Sequence, residues 1–109
     1  MDASADDTVM SFAGARPGEC LRVTARGVCL EVDGRRLWAT RHDAIRAVLT
    51  IRRVSDGWVH DAVQVCATDG DDRHFLVATS MVDDDYDAEF SEAVADAVAE
   101  SVRRAVGLG

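Results

Sequence analysis

Hydrophobic residues near the C-terminal end of the chain recur at every fourth position. They are Phe90, Val94, Val98, Val102 and Val106. Side chains at this spacing lie on one side of an α-helix, so the pattern predicts a single amphipathic helix over about residues 86–106. Arg103 and Arg104 in the last turn, with Gly107 after them, are typical of a helix C-terminus. The valine side of this helix is expected to pack on a sheet formed by the preceding residues.

Upstream of the helix, apolar and polar residues alternate, which predicts six or seven antiparallel strands. Residues 1–18 are rich in Ala, Asp, Ser and Gly and are expected to be a loosely ordered segment, in which Thr8 to Phe12 favour a short edge strand. Residues 19–109 are expected to form one domain. The predicted fold class is mainly β with one C-terminal helix, and the alternative is a two-layer α+β sandwich.

The first three strands are expected to form a meander through two-residue turns at Arg26-Gly27 and Asp33-Gly34. These turns set the cross-strand pairs of an apolar face, which are Leu21–Val32, Val23–Leu30 and Leu30–Leu37. The opposite face then carries two pairs of opposite charge, Arg22–Glu31 and Glu31–Arg36. A slip of one residue would bury these charges, so the register is expected to be specific.

Composition narrows the class of protein. The net charge of −8 disfavours nucleic-acid binding, because phosphates would be repelled. All twelve basic residues are Arg, which coding bias and salt adaptation both explain. No apolar stretch is long enough to span a bilayer, and the N-terminus lacks the basic and apolar regions of a signal peptide. The three cysteines lack paired spacing, so a cytoplasmic protein with reduced thiols is expected.

Three segments resemble bacterial pleckstrin-homology-like (PH-like) domains. They are Leu21-Arg22-Val23-Thr24, Gly27-Val28-Cys29-Leu30-Glu31-Val32 and Asp43-Ala44-Ile45-Arg46-Ala47-Val48. In that family a Leu-x-Val-Thr … Gly-Leu-x-Val hairpin leads to a Trp-x-Asp-Ile-x-x-Val corner. With the strand order and closing helix, the resemblance spans about residues 19–106. Arg41-His42 stand where the family has an apolar-aromatic pair, and a seventh strand is not evident. The resemblance implies a curled sheet or partly open barrel of six to seven strands, capped by the helix.

Two sets of charged residues are candidates for binding. The first is a set of arginines near predicted strand ends, Arg35, Arg36, Arg52 and Arg53. In PH-like domains basic residues near early loops hold phosphate head groups, and guanidinium suits bidentate phosphate contacts. The alternative is that these arginines pair with neighbouring acids and solubilise a strand end. The second set is an acidic helix face, Glu89, Glu92, Asp96 and Glu100.

Metal and catalytic sites are not expected. Residue types that bind metals are present, but their spacing does not match that of a metal site. They are Cys20, Cys29, Cys66, His42, His60 and His74. The Asp69, Asp71 and Asp72 loop does not match the calcium-binding EF-hand pattern. His42-Asp43 is the only suggestive catalytic pair, but adjacent residues on an extended chain point apart. No cofactor is predicted.

Three functions are consistent with the sequence. The first is a non-enzymatic PH-like module that binds a protein or peptide partner through an apolar groove beside the helix. It would self-associate through the helix, where Ala88, Ala95 and Ala99 widen the apolar arc. The second is a small acidic inhibitor, immunity or chaperone-type protein that masks a basic partner. The third is a binder of anionic ligands through the arginines. Neither nucleic-acid binding nor membrane insertion is expected.

Overall fold

The computed structural model describes residues 8–68, 72–82 and 88–108. Seven strands and one helix follow one another along the chain: β1 (Thr8–Ala13), β2 (Glu19–Thr24), β3 (Gly27–Val32), β4 (Arg35–Arg41), β5 (Ile45–Ser55), β6 (Trp58–Ala67), β7 (Arg73–Met81) and α1 (Ala88–Ala105). A short 3₁₀ turn, His42–Ala44, joins β4 to β5. Strands β1 to β4 form antiparallel sheet A, and β5 to β7 form antiparallel sheet B. The predicted fold class, a mainly β domain with a C-terminal helix, is confirmed.

The two sheets remain separate and do not close into a barrel over the described residues. Strand β1 lies within the segment that was expected to be loosely ordered, in the place of the suggested edge strand, and it pairs with β2. Met10 and Phe12 on β1 pack against the core. Residues 1–7 lie outside the described part of the chain.

The predicted register of the first hairpin is wrong by two residues: Leu21 pairs with Leu30, and Arg22 lies opposite Cys29. The cause is Thr24, whose Oγ1 accepts hydrogen bonds from the N–H groups two and three residues later, both at 3.2 Å. This moves the turn one residue towards the N-terminus. Because the shift is even, every side chain keeps its expected face. Arg22 still reaches Glu31 diagonally, with 3.0 Å between Nη2 and Oε1.

At the second hairpin, the predicted pairing of Glu31 with Arg36 is confirmed. The predicted Leu30–Leu37 pair is wrong, because a β-bulge follows and places Leu30 opposite Trp38. Leu37 is the extra residue of the bulge and is 58% exposed.

The hydrophobic core lies between the two sheets and the C-terminal half of α1. Its buried members are Leu21, Val23, Val28, Leu30, Ile45, Val48, Val63, Val65, Phe75, Ala99 and Val102. The helix is turned relative to the prediction, because it buries Ser91, Ala95 and Ala99 rather than the first two residues of the valine stripe. Phe90 is 68% exposed and Val94 is 37% exposed, so this part of the prediction is wrong.

A polar contact sets the rotation of the helix. The Ser91 hydroxyl donates to the carboxylate of Asp61 on β6, and turning Phe90 inward would break this buried bond. The helix ends as predicted, because Gly107 has a φ of 87° and the N–H of Leu108 donates to the carbonyl of Arg103 at 2.8 Å. Residues 86 and 87, where the helix was expected to begin, lie outside the described residues. Within the described ranges, no helix has the apolar length needed to cross a membrane.

Candidate functional site

Sheet B packs one face against the core and the helix and leaves the other open. On this outer face, an open groove of about 710 Å³ crosses all three strands. Side chains alternate along a strand, so the register defines successive rows across the face. One row is Arg53–His60–Thr79, the next is Ile51–Ala62–Leu76, and the third is Leu49–Gln64–His74.

The middle row forms an apolar floor. Ala62 is 6% exposed and lies between the larger side chains of Ile51 and Leu76, so its small methyl group leaves a depression. Strand β7 contains a β-bulge where it borders the groove. The register shows it, since Ala62 pairs with Leu76 whereas the preceding residue of β6 pairs with Ala78. The bulge brings Leu76 and Thr79 onto the same face, although they are three residues apart.

Three arginines, Arg16, Arg53 and Arg73, contribute to the lining of the groove. Arg73 lies at the start of β7 opposite Val65, so it lines the end of the groove rather than its face. Among the described residues, no carboxylate lies within ion-pair distance of Arg53 or Arg73. Within residues 8–68, 72–82 and 88–108, one carboxylate lines the groove, that of Asp72, which pairs with Arg46 at 3.6 Å. The described lining is therefore cationic around an apolar floor.

Arg16 reaches the groove because the loop after β1 is held against β7. The N–H of Ala15 donates to the carbonyl of Leu76 at 2.9 Å. Gly14 fits there because a Cβ would lie 2.9 Å from a ring carbon of Phe75. Beneath the loop, the buried Glu19 contacts Arg16 at 3.5 Å through one oxygen, while its other oxygen has no hydrogen-bond partner in the described structure.

The four arginines predicted from the sequence do not form one site. Arg52 and Arg53 are adjacent on β5 and point to opposite faces, so only Arg53 lines the groove. Arg52 binds Asp61 through two hydrogen bonds, of 2.7 and 3.1 Å. Arg35 and Arg36 lie on sheet A, where Arg36 is paired across from Glu31.

Asp61 is the most heavily engaged carboxylate in the described structure, and it is 2% exposed. Burial alone would raise its pKa, but hydrogen bonds from Arg52 and Ser91, with the charges of Arg52 and His60, lower the pKa below its ordinary value. The pair therefore joins β5, β6 and the helix as a structural contact and is not available to a ligand.

The acidic helix face is largely occupied by the protein's own residues. Asp96 accepts a hydrogen bond from Thr50 at 2.8 Å, and Glu92 lies 4.0 Å from an arginine on β5. Glu100 pairs with Arg104 at 2.7 Å along the helix. No such contact of Glu89 is seen in the described structure, and all four residues of the set are exposed.

The cysteines and histidines are dispersed. Within residues 8–68, 72–82 and 88–108, no group of three His, Cys, Asp or Glu side chains is placed to hold a metal ion. Burial raises the pKa of the Cys29 and Cys66 thiols. Neighbouring carboxylates raise the pKa of each thiol further, and neighbouring arginines oppose this increase. His42 contacts the carbonyl of Thr24 at 2.9 Å, while its neighbour Asp43 pairs with a different residue, so the two do not act as a catalytic unit. Asp69 and Asp71 lie outside the described residues.

Sequence reasoning did not identify Arg16 and Arg73 as site residues. Arg16 follows an edge strand in the segment predicted to be loosely ordered, and no motif in the sequence distinguishes Arg73 from the other arginines. Comparisons with protein-family models, with characterised proteins and with solved structures found no match to this chain. The geometry of the groove therefore carries the functional argument.

Proposed function

We propose that this protein is a non-enzymatic interaction module that holds an extended, acidic segment of a partner protein on the outer face of sheet B. The observation that carries the proposal is that three arginines, Arg16, Arg53 and Arg73, line a groove with an apolar floor. A segment with carboxylates would pair with these cations, while its apolar atoms cover Ile51 and Leu76.

The dimensions of the groove favour a strand-like occupant. Three strands about 4.8 Å apart make it about 10 Å wide, and two steps between its three rows make it about 14 Å long. That length corresponds to about four residues of extended chain. A compact anion such as phosphate would fill only one end of such a groove, so the shape favours a peptide over a small anionic ligand.

The other functions predicted from the sequence are less well supported. For an inhibitor that masks a basic partner, the support is weaker because three carboxylates of the acidic helix face, Glu92, Asp96 and Glu100, already contact residues of the chain, although all three are exposed. Self-association through the helix stays a prediction, with a changed surface, because Ala95 and Ala99 lie in the core. Membership of the PH-like domains also stays a prediction.

The proposal is tested with two labelled peptides of alternating serine and a charged residue, glutamate in one and lysine in the other. Fluorescence anisotropy should show binding of the glutamate peptide alone, with an affinity that falls as salt is added. Arg53→Glu should weaken this binding by about tenfold or more, since it replaces an attractive charge with a repulsive one. Arg35→Glu makes the same change on sheet A, outside the groove, and should have less than about a twofold effect.

Two results would contradict the proposal. One is equal binding of the lysine peptide. The other is an equal loss in both variants, which would show that overall charge, and not the groove, determines the interaction. Circular dichroism of each variant shows that the fold is retained.

A further inference from the structure

The outer face of sheet B continues beyond the groove onto two exposed apolar side chains. The register places Ser55, Trp58 and Met81 in one row across the three strands, next to the row that contains Arg53. Trp58 is 40% exposed and Met81 is 54% exposed. Because Ser55 also lines the groove, the cationic groove and this apolar row form one continuous surface.

We infer that the partner segment carries a bulky apolar residue, then an acidic residue, then a second apolar residue at alternate positions. This inference rests on the proposed function and states which acidic segments the groove selects. An extended segment presents every second side chain to the surface beneath it, at intervals of about 7 Å. The rows of sheet B have the same spacing, so three successive side chains meet the rows of Trp58, Arg53 and Ala62 in turn.

The first position is an anchor. A tryptophan side chain buries a large area with few rotamers, and a methionine side chain adapts to an irregular surface. Both residue types are enriched at protein interfaces. Trp58 and Met81 are direct cross-strand neighbours, so one apolar side chain can cover both. No hydrogen-bond partner of the Trp58 indole is found in the described residues, and its N–H is available to a backbone carbonyl of the segment.

The second and third positions follow from the next two rows. Arg53 faces the second position, beside His60, whose Nδ1 is 2.8 Å from the hydroxyl oxygen of Thr79. This contact orients the imidazole ring next to the guanidinium. At the third position the depression over Ala62, between Ile51 and Leu76, accepts an apolar side chain. The carboxylate thus lies between two apolar contacts, where it is less screened by water.

A peptide fits this surface better than an anionic lipid membrane. The turn beside Trp58 contains Asp56, and the N–H of Val82 donates to the Gly57 carbonyl at 2.8 Å in the same turn. A negatively charged membrane would meet the Asp56 carboxylate together with Trp58. A peptide avoids this repulsion, because its apolar residue lies at this end and its acidic residue points towards Arg53.

The test uses the full chain carrying Trp38→Phe, which leaves Trp58 as the single tryptophan. The first peptide has leucine, glutamate and leucine at alternate positions in a serine background. The second has the same composition with the glutamate moved by one position. The first should bind about tenfold more tightly and change the emission of Trp58. In the second peptide the glutamate can face Arg53 only if the leucines turn away from the apolar rows, so one of the two kinds of contact is lost.

Two variants locate the effect. Met81→Ser should abolish the preference between the peptides, whereas Leu37→Ser, which removes a similarly exposed side chain from sheet A, should keep it. Equal binding of the two peptides, with loss of both in Arg53→Glu, would overturn the inference and leave the proposed function standing. If neither peptide binds, and the glutamate peptide of the earlier test also fails, both are wrong. A shift of Trp58 emission with phosphatidylserine vesicles but not with the peptides would overturn the inference in favour of a lipid surface.

Discussion

The buried carboxylate of Asp61 is the contact whose loss should weaken the fold most clearly. It accepts two hydrogen bonds from Arg52, at 2.7 and 3.1 Å, and one from Ser91, and it is 2% exposed. These partners belong to β5 and to the helix, so one side chain links three elements. Asp61→Asn keeps the shape and removes the charge.

The expected cost is about 2–3 kcal/mol of unfolding free energy. Breaking a buried ion pair by removing one partner costs about 3–5 kcal/mol, and an exposed pair contributes about 0–1 kcal/mol. The side chain of Arg52 is 30% exposed, so water solvates part of the charge that is left behind, which lowers the estimate. For a domain of this size, the change corresponds to a fall in melting temperature on the order of 10 °C. Urea and thermal unfolding at pH 7, followed by circular dichroism, measure both quantities.

The pH dependence gives the prediction a second check. Because the pKa of Asp61 is lower in the folded protein, the carboxylate stabilises the fold above its ordinary value of 3.8 and loses this effect as pH falls through the folded pKa. The difference between the wild type and Asp61→Asn should therefore shrink below about pH 4. Asp43→Asn, which removes an ion pair with 74% exposure at the carboxylate, should cost less than about 0.5 kcal/mol. The reasoning would be refuted if Asp61→Asn lowered the free energy of unfolding by less than about 0.5 kcal/mol at pH 7. It would also be refuted if the loss in Asp61→Asn stayed constant from pH 7 down to pH 3.

Three further changes test other parts of the fold. Gly27→Ala should lower the free energy of unfolding in urea by about 3 kcal/mol or more, because the added Cβ would lie 1.9 Å from a backbone oxygen. Gly34→Ala has open space around the added Cβ but a φ of 80°, so it should lower the free energy of unfolding by about 1–2 kcal/mol. A smaller cost for the first than for the second would contradict this packing. Ala99→Leu should destabilise by about 1–3 kcal/mol through overpacking, and a neutral result would place this helix side outside the core. With a thiol reagent, Cys20 should react first in the native protein, because the other two cysteines are buried. If Cys66 reacts as fast as Cys20, the Cys66 side chain is not buried in solution.

Features of the fold that depend on neighbouring residues were predictable from the sequence. Asp33-Gly34 and Asp56-Gly57 form turns in which all four residues have positive φ, of 51° and 80° in each turn, as Asp-Gly pairs favour. The pairing of Glu31 with Arg36 follows from the first of these turns. Strand alternation also assigned the buried faces of β2 and the start of β3, but not that of β4, where the bulge leaves Leu37 exposed and Thr40 buried. The glycine after the helix marked its end.

Features that depend on side-chain competition or long-range contacts were not predictable. The first hairpin turn follows Thr24, whose hydroxyl competes for backbone N–H groups, and periodicity contains no trace of that bond. The helix rotation depends on Ser91 meeting Asp61, thirty residues away. The apolar arc of this helix is wide, and the buried hydrogen bond turns its alanine side, with Ala95 and Ala99, into the core rather than Phe90.

The candidate site also has one feature that the sequence predicts and one that depends on a long-range contact. Adjacent arginines on a strand cannot share a face, so alternation along β5 is sufficient to separate Arg52 from Arg53. Alternation cannot predict that Arg16 reaches the groove, because this depends on the backbone bond between Ala15 and Leu76. Those two bonded residues are sixty-one positions apart.

The net charge of the chain is a poor guide to the partner of the groove. All twelve arginines fall within the described residues, while nine of the twenty acids fall in residues 1–7, 69–71 and 83–87. The described part therefore has a slight excess of positive charge, although the chain as a whole has a net charge of −8. Charges further away than about 8 Å are largely screened at physiological ionic strength, so the net charge summed over the whole chain does not decide whether a carboxylate binds beside Arg16 and Arg53. An acidic chain and an acidic partner segment are compatible for this reason.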